Sequence, residues 1–134
     1  MANQHLTPGT TARISFMVEE KHLAAAMLSG EARVFATPML VAGMEQAAVE
    51  LLRPFMNPGE STVGVHIDAY HNAATPLGMK VTFEAILTDI SPNGKGFSFQ
   101  VKAYDEAGPV GEGRHERVLV NLAKFEDRAK KRKQ

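Results

Sequence analysis

The sequence predicts an α+β fold in which one long helix is covered by a curved antiparallel sheet. Three observations carry this expectation: a strongly periodic helical segment from Thr37 to Arg53, four alternating segments that follow it, and hairpin turn chemistry between the last three of those. In chain order, Thr11 to Val18 alternates through Ala12, Ile14, Phe16 and Val18 and reads as a strand. His22 to Leu28 is a short helix candidate that Ser29-Gly30 ends. The stretch from Glu19 to Arg33 admits two readings, a cover over a site or a surface connection.

The main helix places Leu40, Met44, Ala47, Ala48, Leu51 and Leu52 on one stripe and Gln46, Glu50 and Arg53 opposite. Thr37 suits its N-cap, Pro38 its first turn, and Pro54 closes it. Four strands follow. Thr62 to Asn72 alternates, with Val63, Val65, Ile67, Ala69 and His71 expected on one face. Met79 to Ile90 alternates through Val81, Phe83, Ala85 and Leu87, and Gly96 to Tyr104 through Phe97, Phe99, Val101 and Ala103. Val110 to Phe125 reads as a last, longer strand. Ser91-Pro-Asn-Gly94 and Asp105-Glu-Ala-Gly108 are turn sequences, so the last three strands are expected to form an antiparallel meander.

A length of 134 residues suits one domain over residues 1–134, and the 44% apolar and 22% charged content is that of a globular chain able to bury a core. Fifteen basic residues balance fifteen acidic ones, which removes the bulk-charge argument for nucleic acid binding. Lys124, Arg128, Lys130, Lys131, Arg132 and Lys133 crowd the C-terminal end, where a charge run is read as a solvated, mobile tail. Without cysteine there is no disulfide, thiolate metal site or cysteine nucleophile. No stretch has the length of a membrane span and the first residues lack a signal pattern, so a cytoplasmic enzyme or binding protein is expected.

Two polar residues break the apolar pattern. Glu45 lies along the row Val41, Ala48 and Leu52, where a carboxylate is either functional or edges into solvent. His71 ends the apolar face of its strand, either as a structural hydrogen-bonded residue or, with Glu45, as half of an acid/base pair. Thr37 adds a hydroxyl at a helix start, a place that favours negative charge, although capping alone would explain it. Eight residues separate Thr37 from Glu45, roughly 12 Å along a helix axis, so a site using both needs His71 to span the gap or a second subunit to contribute. A dimer is the favoured solution.

Other candidates are weaker. His66 and Asp68 lack a third metal ligand, and Gly111-Glu-Gly-Arg-His-Glu-Arg117 lacks phosphate-loop spacing. Gly64 interrupts an alternating strand, which signals a bulge or the close approach of a ligand.

Through Val34-Phe-Ala-Thr-Pro-Met-Leu-Val-Ala-Gly-Met-Glu45, His71-Asn-Ala-Ala-Thr-Pro76 and Gly113-Arg-His-Glu-Arg117 with Asn121-Leu-Ala-Lys-Phe125, the chain resembles the hot-dog-fold thioesterases, and most closely the fluoroacetyl-CoA thioesterase type. The resemblance implies a long helix wrapped by an antiparallel sheet, a homodimer with active sites at the subunit interface, and Thr37, Glu45 and His71 as the catalytic trio. It further places Gly64 beside the acyl group and Arg117 near the site. The chain departs from the pattern upstream, where Ala26-Met-Leu-Ser-Gly-Glu-Ala-Arg33 is shorter and has no aromatic residue before Phe35, in contrast to the aromatic, proline-containing lid of members that handle fluoroacetyl-CoA.

The activity expected on these grounds is hydrolysis of a small acyl-CoA to a carboxylate and CoA. It needs no metal and no cofactor other than the CoA carried by the substrate. Glu45 or Thr37 would attack the carbonyl or activate water, His71 would carry the proton, and backbone N–H groups near the helix start or Gly64 would hold the oxyanion. An acyl-CoA hydratase or dehydratase on the same fold, and a non-catalytic binder of acyl-CoA or another small apolar ligand, are the alternatives.

Overall fold

The computed structural model describes residues 5–133, with five strands in one antiparallel sheet and one long helix lying against it. The strands are β1 (Thr11–Met17), β2 (Glu60–His71), β3 (Lys80–Ile90), β4 (Gly96–Asp105) and β5 (Gly108–Asn121). The helices are α1 (Ala24–Met27), α2 (Thr37–Leu52) and α3 (Leu122–Lys131). Strands β3, β4 and β5 form the predicted meander, with β1 added along β3 and β2 along β5, giving the order β1-β3-β4-β5-β2. The curved sheet buries one face against α2.

Alternation decides that face. Val81, Phe83, Ala85 and Leu87 of β3 and Phe97, Phe99, Val101 and Ala103 of β4 are buried, and the α2 stripe of Leu40, Met44, Ala47, Ala48, Leu51 and Leu52 packs on them. The remaining α2 position at the contact is Gly43, where a Cβ would fall inside the Phe83 ring, so α2 approaches β3 more closely than a side chain would permit.

Four local expectations are corrected. Ala36, not Thr37, caps α2, and Thr37 is its first helical residue, which frees the hydroxyl for another partner. In β2 the register shifts between Gly64 and His66, leaving Val65 as an extra residue that is 57% exposed. The shift changes the parity, so Thr62 and Gly64, rather than Val63 and Val65, share the helix-facing side with Ile67, Ala69 and His71. The short helix divides into a 3-10 turn, Glu20–His22, and α1, with Leu23 bridging to Phe35.

The last strand stops at Asn121 instead of Phe125, because the Asn121 side chain accepts the Lys124 backbone N–H at 3.0 Å and starts α3. Part of the basic run expected to be a mobile tail is therefore helical. Val118, Val120 and Leu122 continue an alternating pattern across that boundary, and the cap overrides it.

Gly43→Val is expected to drive a branched side chain into Phe83 and lower stability by roughly 1–3 kcal/mol. A guanidinium titration should show a lower midpoint at an unchanged slope. An unchanged midpoint would mean that α2 is free to lift off β3.

Candidate active site

Helix α2 starts beside the end of β2, and this junction joins two of the three residues expected to act together. Thr37 Oγ1 lies 2.8 Å from His71 Nδ1. The ring of Phe35 stands edge-on to His71 with centroids 6.5 Å apart. His71 Nε2 is buried and has no hydrogen-bond partner among the described residues. Burial lowers the His71 pKa below its ordinary 6.5, against a smaller opposing contribution from the Ala73 backbone. The imidazole is therefore neutral at neutral pH and able to take up a proton.

Further along α2, Glu45 meets a cluster built on β2 and β5. Arg117 Nη1 donates to Glu45 Oε2 at 3.1 Å, Nε donates to Thr62 Oγ1 at 2.8 Å, and Nη2 donates to the Thr62 carbonyl at 2.9 Å. His115 Nε2 lies 3.1 Å from the same Nη1, and His115 Nδ1 lies 2.8 Å from the His66 carbonyl oxygen. Burial lowers the Arg117 pKa, partly offset by Glu45. The Glu45 side chain keeps 39% exposure, so the carboxylate is held on its inner side and open on the other.

Gly64 completes this cluster. A Cβ there would lie 2.5 Å from Glu45 Oε2, 3.2 Å from His115 Cε1 and 3.3 Å from Arg117 Nη1. Of the two sequence readings of Gly64 the bulge occurs, and the space a side chain would take there is held by the Glu45 carboxylate of the same chain.

The five sequence-selected residues thus form two groups, Thr37 with His71 and Glu45 with Gly64 and Arg117, set roughly 12 Å apart along α2. His115 and Thr62 were missed. His115 stands two positions before Arg117 on the same face of β5, so alternation from Arg117 would have found it. Thr62 was hidden by the bulge. Among the described residues no group of three potential metal ligands occurs, and His66 and Asp68 face outward. A concavity of about 890 Å³ runs over the outer sheet face along His66, Asp68, Gln100, Glu112 and Arg114, and its lining includes neither Thr37 nor His71.

Known proteins share both the sequence and the shape. The profile of the family described as fluoroacetyl-CoA-specific thioesterase matches residues 18–123. A fluoroacetyl-CoA thioesterase from Streptantibioticus cattleyicolor is 41% identical over 92 residues, which span 69% of this chain and 65% of that protein. The solved structure of the fluoroacetyl-CoA thioesterase FlK superposes with a TM-score of 0.90 at 30% identity, covering 96% of this chain and 98% of the other. A hot-dog-like protein from Thermanaerovibrio acidaminovorans gives 0.83 at 28% identity over 95% and 93% of the two chains.

Fold and likeness together define a hot-dog-fold protein similar to thioesterases. More particularly, the chain belongs to the family of fluoroacetyl-CoA-specific thioesterases.

Gly64→Ala is expected to push the Glu45 carboxylate off Arg117 and lower hydrolysis by roughly 10- to 100-fold, the scale set by an ångström of misplacement. The strand pairing should survive, so the melting temperature should move by only a few degrees. Equal activity in the two proteins would show that the Glu45 position is not critical.

Proposed function

We propose that the protein hydrolyses a small acyl-CoA thioester to a carboxylate and CoA, with Thr37, His71 and Glu45 as the catalytic groups and Gly64 and Arg117 flanking the acyl end. The observation that carries this reading is the Thr37–His71 pair, in which a neutral imidazole is bonded to a hydroxyl on one nitrogen and its other nitrogen has no hydrogen-bond partner among the described residues.

The chemistry follows from those atoms. Thr37 Oγ1 attacks the thioester carbon and passes its proton to His71 Nδ1. The C–S bond breaks, and the imidazolium returns a proton from Nε2 to the departing thiolate. Water activated by Glu45 then releases the acyl group as the carboxylate. Direct attack by Glu45-activated water uses the same residues with Thr37 only orienting His71. The helix start at Thr37 supplies a dipole favourable to developing negative charge.

The reading includes a homodimer. Strand β2 is an edge of the sheet and presents Val65 and Tyr70, 57% and 65% exposed, along a run of 12 residues. Long uncovered edges of this kind are templates for pairing. A two-fold axis across β2 exchanges its ends, so the Gly64 end of one protomer faces the His71 end of its partner. That arrangement closes the 12 Å gap between the two groups of residues. Segment Ala26–Arg33 carries no aromatic lid, so the acyl preference is expected to extend beyond fluoroacetyl to other small acyl groups.

Thiol release from acetyl-, fluoroacetyl-, medium-chain and aromatic acyl-CoA should be highest for the small acyl groups. It should fall by roughly 10²- to 10⁴-fold in His71→Ala and comparably in Glu45→Gln. Because His71 acts as the unprotonated base and its pKa is depressed, the acid limb of kcat/KM should lie below pH 6.5. Hydration of an enoyl-CoA without thiol release would instead identify a hydratase.

Mixing Thr37→Ala with Glu45→Gln tests the shared site. If each site draws on both protomers, every mixed dimer holds one intact site, and an equal mixture should recover about a quarter of the wild-type rate. Sites confined to one protomer would leave the mixture inactive.

A further inference from the structure

His115 takes no part in the route above, yet its two ring nitrogens are committed to specific partners. The side chain is 1% exposed, and its ring stacks on Phe99 with centroids 5.9 Å apart. Nδ1 faces the His66 carbonyl at 2.8 Å, and a carbonyl only accepts, so Nδ1 carries the ring proton. Nε2 faces Arg117 Nη1 at 3.1 Å, and a guanidinium only donates, so Nε2 must be bare. The same Nη1 holds Glu45 Oε2, which lies 4.0 Å from His115 Nε2.

We propose that His115 is a positioning residue for hydrolysis: its neutral imidazole, locked as the Nδ1–H tautomer by the His66 carbonyl beside the β2 bulge, holds Arg117 Nη1 and through it aims Glu45. The inference rests on the thioesterase reading and deepens it. Bulge, histidine, guanidinium and carboxylate form one chain of contacts, in which only a bare Nε2 fits. A proton on Nε2 would set donor against donor, release Arg117, and turn the new N–H toward Glu45.

The groups facing His115 oppose that proton on balance. Burial disfavours the charged ring most and Arg117 adds to it, whereas the His66 carbonyl and the Glu45 and Glu116 carboxylates favour protonation less strongly, so the His115 pKa is lowered. Acidification should therefore disable the site twice, at His71 and at His115, both below pH 6.5.

The test uses the full-length protein with His115→Phe, which keeps the stack on Phe99, and His115→Gln, whose amide oxygen is able to accept from Arg117 and does not titrate. His115→Phe should lower kcat by roughly 10- to 100-fold while KM changes less than about 3-fold. His115→Gln should recover at least about 5-fold of that loss and reduce the acid limb of kcat/KM from two protons to one. Long-range proton–nitrogen NMR of the labelled wild-type imidazole should show Nδ1–H with bare Nε2 persisting below pH 6.5.

A folded Phe variant with wild-type kcat, a Gln variant as slow as Phe, or an Nε2–H tautomer would each overturn the proposal. Should the Phe variant not fold, the Gln acid limb and the tautomer decide. Absence of thiol release from the wild type would sink the hydrolysis reading by itself, and the tautomer would still decide the linkage.

Discussion

A guanidinium taken out of water must have its N–H groups met by acceptors, and in this fold that requirement falls on Arg117. Thr62 meets it twice, through hydroxyl and carbonyl, while Glu45 and His115 share the remaining direction. Three elements are fixed by the arrangement. Strand β5 supplies the cation, β2 supplies the Thr62 acceptors and the bulge carbonyl, and α2 must present its carboxylate at one angle. Glycine at position 64 is the geometric condition, since any side chain would occupy the carboxylate's place. Removing Glu45 leaves Arg117 with its other partners, whereas removing Arg117 leaves Glu45 beside a bare imidazole nitrogen. The two deletions therefore differ in kind.

Much of the fold was legible because burial imposes clean periods on α2, β3 and β4, whose apolar positions mark one face without interruption. The departures occur where a local event breaks a period. Gly64 signalled the bulge in β2, but the number of residues it would insert was not readable, and so the faces of Val63 and Val65 were exchanged with those of Thr62 and Gly64. Asn121 ended β5 by capping a helix inside a stretch that still alternates. At the site, Glu45 and His71 stood out as polar residues on apolar rows. His115 did not, because on β5 the inward row holds Gly111, Gly113 and Arg117 and turns apolar only at Leu119, too short an apolar background for a histidine to appear anomalous.

The connection before α2 is tied into the molecule although it carries no aromatic lid. Ala24 and Ala25 donate backbone N–H groups to Val34 and Ala32 at 2.8 and 3.1 Å, and Arg33 pairs with Glu20 at 2.9 Å. Phe35, at its end, contacts Phe16, His22, Phe83 and His71 in one aromatic cluster. Changes in this connection thus reach His71 through Phe35, by packing rather than by charge.

The order of the strands has a kinetic meaning. The β3-β4-β5 meander joins neighbours in sequence by short turns, whereas β1 reaches β3 across contacts such as Ser15 with Thr82, 67 positions apart. Arg117 lies 55 positions from Thr62 and 72 from Glu45. Distant pairings carry the larger loop-closure entropy and are made after local ones. The folding chain therefore acquires its β3-β4-β5 meander before its edge strands and its chemistry, and the contacts around Arg117, which form as β2 joins β5, are ones a slowly folding molecule leaves open longer than the meander's.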